Sequence, residues 1–469
     1  MVVVSNRVAD PRKSAAGGLA VAVGQALEAT GGLWLGWSGK VSGAPDANDA
    51  PVHIQRTGKV QLATFDLSSQ AHDTYYLGYS NAVLWPVFLN RLDLADFNAA
   101  FFEGYRHVNR LFARKLLPLL QPGDVVWIHD YHLIPLAAEL RALGCTLRMG
   151  FFLHIPLPPP VVLSAIPQHQ WLMQQLFAYD VLGFQSQADV LNFSLYVQQE
   201  LGAQEATPPT SAIRASALPS ADAQHFSLHS RTVHAQAFPI GLDAAEFARL
   251  AETKEAIDSY TTMQEQYARR RVLIGIDRLD YSKGIAHRIR AFRMLLEQYP
   301  ENLHHATLVQ IASPSRETLG TYADIRRELE GLCGAINGDF GTLDWIPVRY
   351  IHRTVARKRL PGLCRAARVG LVTPLRDGMN LVAKEFIVAQ DAADPGVLVL
   401  SRFAGAAEQL TQALLVNPYD THGTAQAIQR ALHMPLPERQ ERHQQLLADI
   451  VRFDVHWWSR SFLQALQVV

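Results

Sequence analysis

The sequence predicts an α/β protein built from two doubly wound, mainly parallel sheets. Short apolar runs alternate with amphipathic helical stretches along nearly the whole chain, the pattern of repeated βαβ units. Several of these runs end in polar, glycine-containing segments, and ligands bind at such strand ends in open α/β sheets. The chain has 469 residues, and single cores stop growing at about 250–300 residues, so two domains are expected.

The apolar runs that predict strands fall into two groups, one in each half of the chain. The first group lies near residues 2–6, 33–38, 124–129, 147–154 and 181–185, and the second near 272–277, 306–312, 347–352, 369–373, 397–401 and 413–417. Between the groups, Ala203 to Gln236 is rich in Ala, Ser, Pro and Thr, which predicts a loop over part of it. We expect an N-terminal domain at 1–238, a C-terminal domain at 239–455 and a helix at 456–469 that packs back toward the N-terminal domain.

Composition narrows the class of protein. Lys and Arg (43) balance Asp and Glu (43), and no basic stripe carries interleaved aromatic residues, which disfavours nucleic acid as a partner. The first residues lack the order of a signal peptide, and no apolar run approaches the length of a membrane span, so we expect a soluble, cytoplasmic protein. Cys145, Cys333 and Cys364 are too scattered for a disulfide framework or a zinc site.

A first polar segment, from Arg278 to Gly284, follows the apolar run at 272–276. It places a guanidinium and an ammonium, Arg278 and Lys283, at the carboxyl end of a predicted strand. These two groups can neutralise a diphosphate without a metal ion. Taken alone, they are equally consistent with ordinary surface charges.

A second polar segment, from Pro374 to Glu385, follows the apolar run at 369–373 and leads into a predicted helix. Gly378 lets backbone amides approach an anion or a sugar hydroxyl, and the free N–H groups from Asn380 to Val382 carry the positive end of the helix dipole. Glu385 follows one turn later, where it can reach paired ribose hydroxyls. Alone, this segment is also consistent with a simple turn. Two such segments in one chain predict a site for a sugar nucleotide.

The first half of the chain offers residues suited to a small phosphorylated sugar. Arg7 closes the first strand, and the adjacent glycines Gly17 and Gly18 open the following helix, which is not the G-x-G-x-x-G pattern of dinucleotide sites. Three aromatic residues are of the kind that shapes sugar pockets, although each alone is more typical of a core: Trp37, Tyr76 and Trp85. Asp130 and His154 follow two predicted strands, so both are expected at the ligand-binding edge of the sheet.

Taken in order, these motifs resemble one family, the trehalose-6-phosphate synthases. The resemblance rests on residues 2–7, Gly17–Gly18, 36–39, Trp85–Pro86, 129–132 and 154–156 together with the two polar segments, and so covers nearly the whole chain. It implies the GT-B arrangement of two Rossmann-like domains. It also implies transfer of glucose, with retention of configuration, from UDP-glucose to glucose 6-phosphate. The expected partners are therefore small-molecule substrates, with no metal or other cofactor, and a homo-oligomer is compatible with the sequence.

The resemblance also implies the site residues. The implied acceptor site consists of Arg7, Trp37, Tyr76, Trp85, Asp130 and Arg316. The implied donor site consists of Gly18, His154, Arg278, Lys283, Asp377, Gly378, Met379, Asn380, Leu381, Val382 and Glu385. Among these, Arg7 and Arg316 are expected to grip the acceptor phosphate and Glu385 the ribose. The expected catalytic residues are His154, Arg278, Lys283 and Asp130.

Two alternatives remain open at this point. After His154-Ile-Pro the family commonly shows an aromatic and an acidic residue before the next helix, whereas this chain has Leu157-Pro-Pro-Pro-Val161, which bears on the choice of acceptor. A sister activity with glycerol 3-phosphate as acceptor, a glucosylglycerol-phosphate synthase, would share the donor site. A catalytically silent homologue would bind ligands without turnover. A nicotinamide-dependent dehydrogenase is disfavoured by the missing glycine fingerprint.

Overall fold

A computed structural model describes residues 1–8, 18–42, 51–207, 223–315 and 320–468. The chain divides into two compact units. Unit 1 comprises Met1–Ile240 and Val455–Val469, and unit 2 comprises Gly241–Asp454. Each unit contains a mostly parallel sheet and helices, which confirms the predicted α/β class.

The sheet of unit 1 has ten strands in the order β3-β4-β2-β1-β5-β6-β7-β10-β9-β8. The strands are β1 Val2–Arg7, β2 Gly32–Ser42, β3 His53–Thr57, β4 Val60–Ser68, β5 Val125–His129, β6 Arg148–Phe152, β7 Val181–Phe184, β8 Gln204–Glu205, β9 Gln224–Leu228 and β10 Arg231–Ala237. The antiparallel pairs are β3–β4, β9–β10 and β8–β9. The parallel strands run in sequence outward on both sides of the β1–β5 pair, so the strand order reverses between β1 and β5.

Helices cover the sheet of unit 1. Those before the unit boundary are α1 Gly18–Thr30, α2 Ser69–Ala71, α3 Trp85–Phe88, α4 Ala99–Leu116, α5 Leu136–Ala142, α6 Pro160–Leu163, α7 His169–Gln174 and α8 Gln187–Leu201. A π-helix spans His72–Leu84, and short 3₁₀-helices lie at Leu92–Leu94, Leu117–Leu119, Tyr131–Leu133 and Gln175–Ala178. Capping residues define both ends of α8. The Ser186 hydroxyl accepts the Asp189 N–H at its start, and Gly202, with φ of 67°, ends it.

The sheet of unit 2 has six parallel strands in the order β13-β12-β11-β14-β15-β16. They are β11 Arg271–Arg278, β12 Ala306–Ser313, β13 Val348–Ile351, β14 Val369–Val372, β15 Val397–Ser401 and β16 Leu414–Val416. In order along the chain this is 3-2-1-4-5-6, the order of doubly wound nucleotide-binding sheets, and it reverses between β11 and β14. All six strands that the sequence predicts for the second half are present.

Eight α-helices of unit 2 are described: α9 Ala244–Ala251, α10 Lys254–Gln266, α11 Ile285–Gln298, α12 Gly320–Phe340, α13 Leu360–Ala366, α14 Leu381–Ala389, α15 Thr421–His433 and α16 Leu436–Arg452. Short 3₁₀-helices lie at Tyr281–Lys283, Pro300–Asn302, Arg357–Arg359 and Gly405–Glu408. The apolar faces of α11, α12 and α15 pack on the sheet in one buried cluster, which includes Ile289, Phe292, Leu329 and Ile428.

The last helix, α17 Val455–Val468, belongs to unit 1. Phe462 lies where strands β6 and β7 have no side chain, because a Cβ added at Gly150 or Gly183 would come within 2.7–2.8 Å of its ring. The same ring stacks on Trp127 of β5 with centroids 4.8 Å apart. Helix α17 therefore completes the core of unit 1. Within the described residues, none of the helices has the length and apolar character needed to cross a membrane.

Candidate active site

In unit 1 the candidate residues gather where the strand order reverses. Arg7 is the last residue of β1, Asp130 follows β5, and His154 follows β6, so three neighbouring parallel strands deliver them to one edge of the sheet. This is the edge at which doubly wound sheets bind ligands. This topology brings Arg7 beside Asp130 and His154, the two residues that the sequence places at this edge.

Aromatic rings line this edge on the side of β2. The Trp37 ring lies 5.3 Å from that of Tyr76, and Tyr76 stacks on His132 at 6.2 Å with an interplanar angle of 17°. The guanidinium of Arg7 lies 5.9 Å from the centroid of the Trp37 ring. Gly39, with φ of 87°, makes room for that guanidinium, because a Cβ there would approach it to 2.5 Å. The arrangement places one exposed cation beside apolar ring faces, which suits a phosphorylated sugar.

The π-helix at His72–Leu84 supplies Tyr76 to this edge. Its wide turns carry backbone i to i+5 hydrogen bonds, such as the one that the Trp85 N–H donates to the Ser80 oxygen. The side-chain amide of Asn81 also donates to the Tyr76 oxygen at 2.7 Å. π-type segments of this kind are frequent at functional sites. Trp85 follows directly in α3, is 7% exposed, and packs against Tyr131 with ring centroids 5.9 Å apart.

Asp130 has a strained backbone. Its φ is 76° and its ψ is 163°, a region that is populated almost only by glycine. The conformation is held by hydrogen bonds, because its N–H donates to the Phe152 oxygen at 2.8 Å and its carboxylate accepts the His154 N–H at 3.2 Å. Backbone strain kept at an acidic residue on a ligand-binding edge is an observed outlier that points to function.

His154 has a neutral imidazole. One ring nitrogen, Nε2, lies 3.0 Å from Nδ1 of His129, the last residue of β5. Burial lowers the pKa of His154 to about 3, and burial followed by the neighbouring His154 lowers the pKa of His129 well below its ordinary value. His154 therefore carries no charge at neutral pH and is a poor general acid there.

In unit 2 the candidate residues also gather where the strand order reverses. Arg278 is the last residue of β11 and is exposed, and the segment that begins at Thr373 follows β14, the neighbouring strand. Beneath them lies a buried ion pair between Arg288 of α11 and Asp277 of β11, with side chains 0% and 3% exposed. The Arg288 guanidinium also donates to Gln310 Oε1 at 2.8 Å and to Thr373 Oγ1 at 3.0 Å. One guanidinium thus ties three strands together directly below both polar segments.

The two polar segments of unit 2 meet through charge. Lys283 Nζ donates to Asp377 Oδ2 at 2.5 Å, and both side chains are less than one-fifth exposed, at 12% and 18%. The Asn380 amide donates to the same carboxylate oxygen at 3.0 Å. Lys283 and Asp377, two residues of the implied donor site, are therefore partners of each other in this structure.

The loop before α14 is built for close approach of backbone. Asn380 caps α14 from the left-handed region, with φ of 68°, and the N–H groups at the start of the helix lie beside it. A Cβ at Gly405 would collide with the Gly378 oxygen, so the facing loop packs directly on this backbone. Met379 is buried, whereas Leu381 and Val382 are half-buried.

Glu385 lies one turn into α14 and is half-buried. Its pKa is raised, chiefly by burial, and the charge of Arg357 partly opposes that effect. Arg357 is itself held by Glu246 through two parallel hydrogen bonds of 2.7 Å. A carboxylate on a mostly apolar helix near a fixed guanidinium is suited to accept hydrogen bonds from neutral hydroxyl groups.

The family-model comparison matches residues 5–468 to the model described as glycosyltransferase family 20. The chain belongs to glycosyltransferase family 20. Among curated members of this family, a trehalose-6-phosphate synthase from Sinorhizobium fredii is 46% identical over 470 residues, which are 99% of this chain and 98% of that protein. Another trehalose-6-phosphate synthase, from Cronobacter sakazakii, is 45% identical and covers all of this chain.

Solved structures of family members match this chain over its whole length. A UDP-forming α,α-trehalose-phosphate synthase from Burkholderia xenovorans in complex with glucose-6-phosphate has a TM-score of 0.93 and 46% identity, with 99% of each chain covered. A structure named trehalose-6-phosphate from E. coli, bound with UDP-2-fluoro glucose, has a TM-score of 0.91 and 44% identity, covering 100% of this chain and 99% of that one. The predicted GT-B fold and the family resemblance are thereby confirmed.

Not every predicted site residue of this family-20 glycosyltransferase falls within the described structure. Arg316 and Gly17 lie outside the described residues, and Gly18 is the first residue of α1. Sequence reasoning missed Arg288, His129 and Gln185, three buried polar residues directly beneath the predicted ones. Their signal in the sequence is weak, because His129 and Gln185 each begin a polar stretch after an apolar run, and Arg288 is one of several basic residues on a helix. The described residues contain no group of three or more His, Cys, Asp or Glu placed to hold a metal ion.

Proposed function

We propose that this family-20 glycosyltransferase transfers glucose from UDP-glucose to glucose 6-phosphate with retention of configuration, and releases trehalose 6-phosphate and UDP. The observation that carries the proposal is the reversal of strand order in each unit. One reversal presents the cations and helix N-terminus expected for a diphosphate sugar, and the other presents the aromatic rings and cation expected for a sugar phosphate. Relatives bearing the corresponding names span the whole chain.

On the donor side, Arg278 and Lys283 hold the diphosphate, and the N-terminus of α14 adds its dipole. Asp377 and the amides from Gly378 to Val382 face the glucose hydroxyls, and Glu385 accepts hydrogen bonds from the ribose. Lys283 and Asp377 are already paired with each other, so both side chains are oriented before the donor binds. When the donor binds, the Lys283 ammonium contacts the diphosphate and the Asp377 carboxylate contacts the glucose.

On the acceptor side, Arg7 grips the phosphate together with Arg316. Trp37, Tyr76 and Trp85 enclose the sugar ring, while the Asp130 carboxylate accepts from a sugar hydroxyl. The backbone strain at Asp130 fixes the direction of that carboxylate. His154 is neutral and held by ring hydrogen bonds, so its role is to position the donor sugar.

The reaction proceeds by attack of the acceptor hydroxyl on the same face of the donor glucose that the leaving group occupies. The bond between the anomeric carbon and the β-phosphate oxygen breaks, and the departing UDP oxygen takes the proton of the acceptor hydroxyl. Arg278 and Lys283 stabilise the charge that develops on the leaving phosphate. We expect no metal requirement, because these two cations and the helix dipole supply the positive charge, and we expect the protein to act in the cytoplasm.

A glucosylglycerol-phosphate synthase activity is the second candidate, because the loop after His154 departs from the family pattern. Its proline run places Val161 at the surface, 79% exposed, and its Leu157 N–H donates to Asp189 at 2.9 Å. This loop belongs to unit 1, which carries the proposed acceptor residues. It bears on the acceptor and leaves the donor residues unchanged.

The test is product identification with purified protein in excess chelator. UDP-glucose is incubated with glucose 6-phosphate or, separately, glycerol 3-phosphate, and the product is characterised by mass and anomeric configuration. An α,α-linked disaccharide phosphate is the expected result. Product with glycerol 3-phosphate alone would assign the second activity, and ligand binding without product would indicate a catalytically silent protein.

A further inference from the structure

Three polar side chains below the acceptor edge of unit 1 form a row across adjacent strands. His129 is the last residue of β5, His154 lies two residues beyond β6, and Gln185 directly follows β7. Strands β5, β6 and β7 are neighbours and parallel, so the three side chains stand side by side. Gln185 is 2% exposed and His129 is fully buried.

The direction of each hydrogen bond in this row follows from one backbone group. The Ile240 N–H can only donate, and it lies 3.0 Å from Gln185 Oε1, which fixes the orientation of the Gln185 amide. The amide nitrogen of Gln185, 3.4 Å from His154 Nδ1, is then the donor to that nitrogen. His154 Nδ1 accepts, so the ring proton is on Nε2, and Nε2 donates to His129 Nδ1 at 3.0 Å.

We propose that Gln185 is a positioning residue for His154: it fixes the Nε2–H tautomer of the His154 ring and anchors that ring to the backbone of Ile240. The inference rests on the proposed function, in which His154 positions the donor sugar. Ile240 is the last residue of unit 1 before the chain enters unit 2. A glutamine is suited to this role because its amide accepts from the backbone with one atom and donates to the imidazole with the other.

The row has no further hydrogen bond at its far end. His129 Nε2 has no hydrogen-bond partner among the residues that the structure describes. It lies in an aromatic environment, with the His129 ring 4.6 Å from that of Trp127 and 6.2 Å from that of Trp458. No partner at His129 Nε2 among the described residues fixes the tautomer of the His129 ring. The tautomer of His154 therefore depends on its hydrogen bond with Gln185.

Unit 1 contains a second row of the same chemistry that serves as a control. On β9 and β10, His225 Nε2 lies 3.1 Å from His234 Nδ1, and His234 Nε2 lies 3.0 Å from Gln236 Oε1. All three side chains are 5% exposed, and burial lowers the pKa of both histidines. None of them is a candidate site residue. Gln236 is therefore a buried glutamine beside a histidine pair outside the candidate site, although its oxygen accepts from His234, whereas the Gln185 nitrogen donates to His154.

The groups that face His154 determine how a new charge would act. Among the described residues, two titratable groups contact His154. They are the imidazole of His129 from β5 and the Asp130 carboxylate, which accepts the backbone N–H of His154. The rings of Phe152 and of Trp458 from α17 pack on it at 4.6 and 6.0 Å. A carboxylate introduced at residue 185 would therefore share its proton chiefly with His154.

The test compares Gln185→Glu, Gln185→Met and Gln236→Glu with the wild-type protein. For each, kcat/KM for UDP-glucose is measured across about pH 5.5 to 8.5, the range in which histidine titrates. Each value is divided by the wild-type value at the same pH, which cancels the ionisation of the sugar phosphate. Thermal unfolding of every variant reports folding, and 15N spectra of histidine-labelled protein report the tautomer of His154 without any need for turnover.

The expected results separate positioning from packing. Gln185→Glu makes the ratio vary with pH by about tenfold through one ionisation, because the new carboxyl group and His154 share a proton. Gln185→Met lowers the ratio by about three- to tenfold at every pH, the effect of one hydrogen bond. Gln236→Glu leaves the ratio independent of pH. In the 15N spectra, the wild-type proton lies on Nε2 and moves to Nδ1 in Gln185→Glu.

Two results would overturn the inference. One is a folded Gln185→Glu variant whose ratio does not change with pH, and the other is a wild-type 15N spectrum with the His154 proton on Nδ1. Absence of product from the wild-type protein would instead contradict the proposed function, and the 15N spectra would still decide the role of Gln185. If Gln185→Glu fails to fold, the wild-type spectrum and Gln185→Met carry the test.

Discussion

The strand order reverses in the same way in unit 1 and in unit 2, but the buried polar groups beneath the two reversals differ in charge. In unit 1 the groups under the edge are neutral: the pKa values of His129 and His154 are lowered by burial, and aromatic rings surround them. In unit 2 the corresponding interior holds the Arg288–Asp277 ion pair. The difference suits the ligands proposed for the two units. A diphosphate is bound by cations, whereas the sugar hydroxyl groups of glucose 6-phosphate are bound by oriented dipoles and its phosphate by the exposed Arg7.

The largest expected effect concerns the buried charge of unit 2. Arg288→Met should lower the free energy of unfolding by about 3–5 kcal/mol, because Asp277 is left buried without its partner. The double variant Arg288→Met/Asp277→Asn should lose less, since no bare charge remains. Denaturant unfolding followed by circular dichroism measures both. Equal losses in the single and double variants would show that packing, rather than charge, stabilises this interior.

The next effect concerns the exposed cation of the same edge. Arg278→Ala should lower kcat/KM for UDP-glucose by an amount equivalent to about 2–4 kcal/mol of transition-state stabilisation. Arg290→Ala is the matched control, because Arg290 is a surface arginine of α11 paired with Glu328. Steady-state kinetics of both variants is the measurement. Undiminished turnover by Arg278→Ala would remove this residue from the reaction.

A smaller effect concerns the strain in unit 1. Asp130→Gly and Asp130→Ala both remove the carboxylate, yet the glycine variant should be more stable by about 1–2 kcal/mol, because only glycine adopts this backbone conformation without strain. Both should lose most activity. Their midpoints of thermal unfolding give the comparison. A more stable alanine variant would mean that the backbone at residue 130 relaxes and that no strain is stored there.

The smallest effect for one step of measurement is the slope of stability against pH, at most about 1.4 kcal/mol per pH unit for each proton. His154 has a lowered pKa in the folded protein, so the unfolded chain binds more protons and stability falls as pH drops from 6.5 toward about 3. Lys384 of unit 2, whose pKa burial lowers from 10.5 to about 7, gives the same sign at higher pH. Its stability contribution rises from pH 7 to 10.5.

Unfolding midpoints measured across this pH range test the contributions of His154 and Lys384 separately. Lys384→Met should flatten the alkaline part of the curve and leave the acidic part unchanged, because Met is uncharged and fills a similar volume. The pKa of Glu385 is raised by burial, so it opposes the histidine term as pH rises through 4.5. A stability curve of Lys384→Met that parallels the wild type above pH 7 would show that the Lys384 ammonium is not desolvated.

Much of the fold could be predicted because fully buried parallel strands are continuous apolar runs. Strands β11 to β16 all lie where the sequence places them, as do β1, β2, β5, β6 and β7. Strands β3 and β4 were missed. Strand β3 is exposed along its whole length, and its one large apolar residue is Ile54. The hairpin of β9 and β10 overlaps the segment Ala203 to Gln236, over part of which a loop was predicted. It was missed because its His and Gln residues lack an apolar period.

Only the residues that face the ligand could be predicted. Arg278, Lys283 and Asp130 follow strand ends, and ligands bind at the strand ends of open α/β sheets, so position in the sheet was enough to select them. The residues that hold them were not predicted, because burial of Arg288 or Gln185 depends on partners from distant strands. The π-helix that carries Tyr76 was missed for a similar reason: its hydrogen-bond pattern has no composition signal.

The most direct test of the division of labour between the units is a crossed binding measurement. The affinities for UDP and for glucose 6-phosphate are measured by calorimetry in Arg278→Ala of unit 2 and in Arg7→Ala of unit 1. The account predicts that Arg278→Ala weakens UDP and leaves glucose 6-phosphate unchanged, and that Arg7→Ala does the reverse. Loss of the same ligand in both variants would contradict the assignment of donor and acceptor to the two strand reversals.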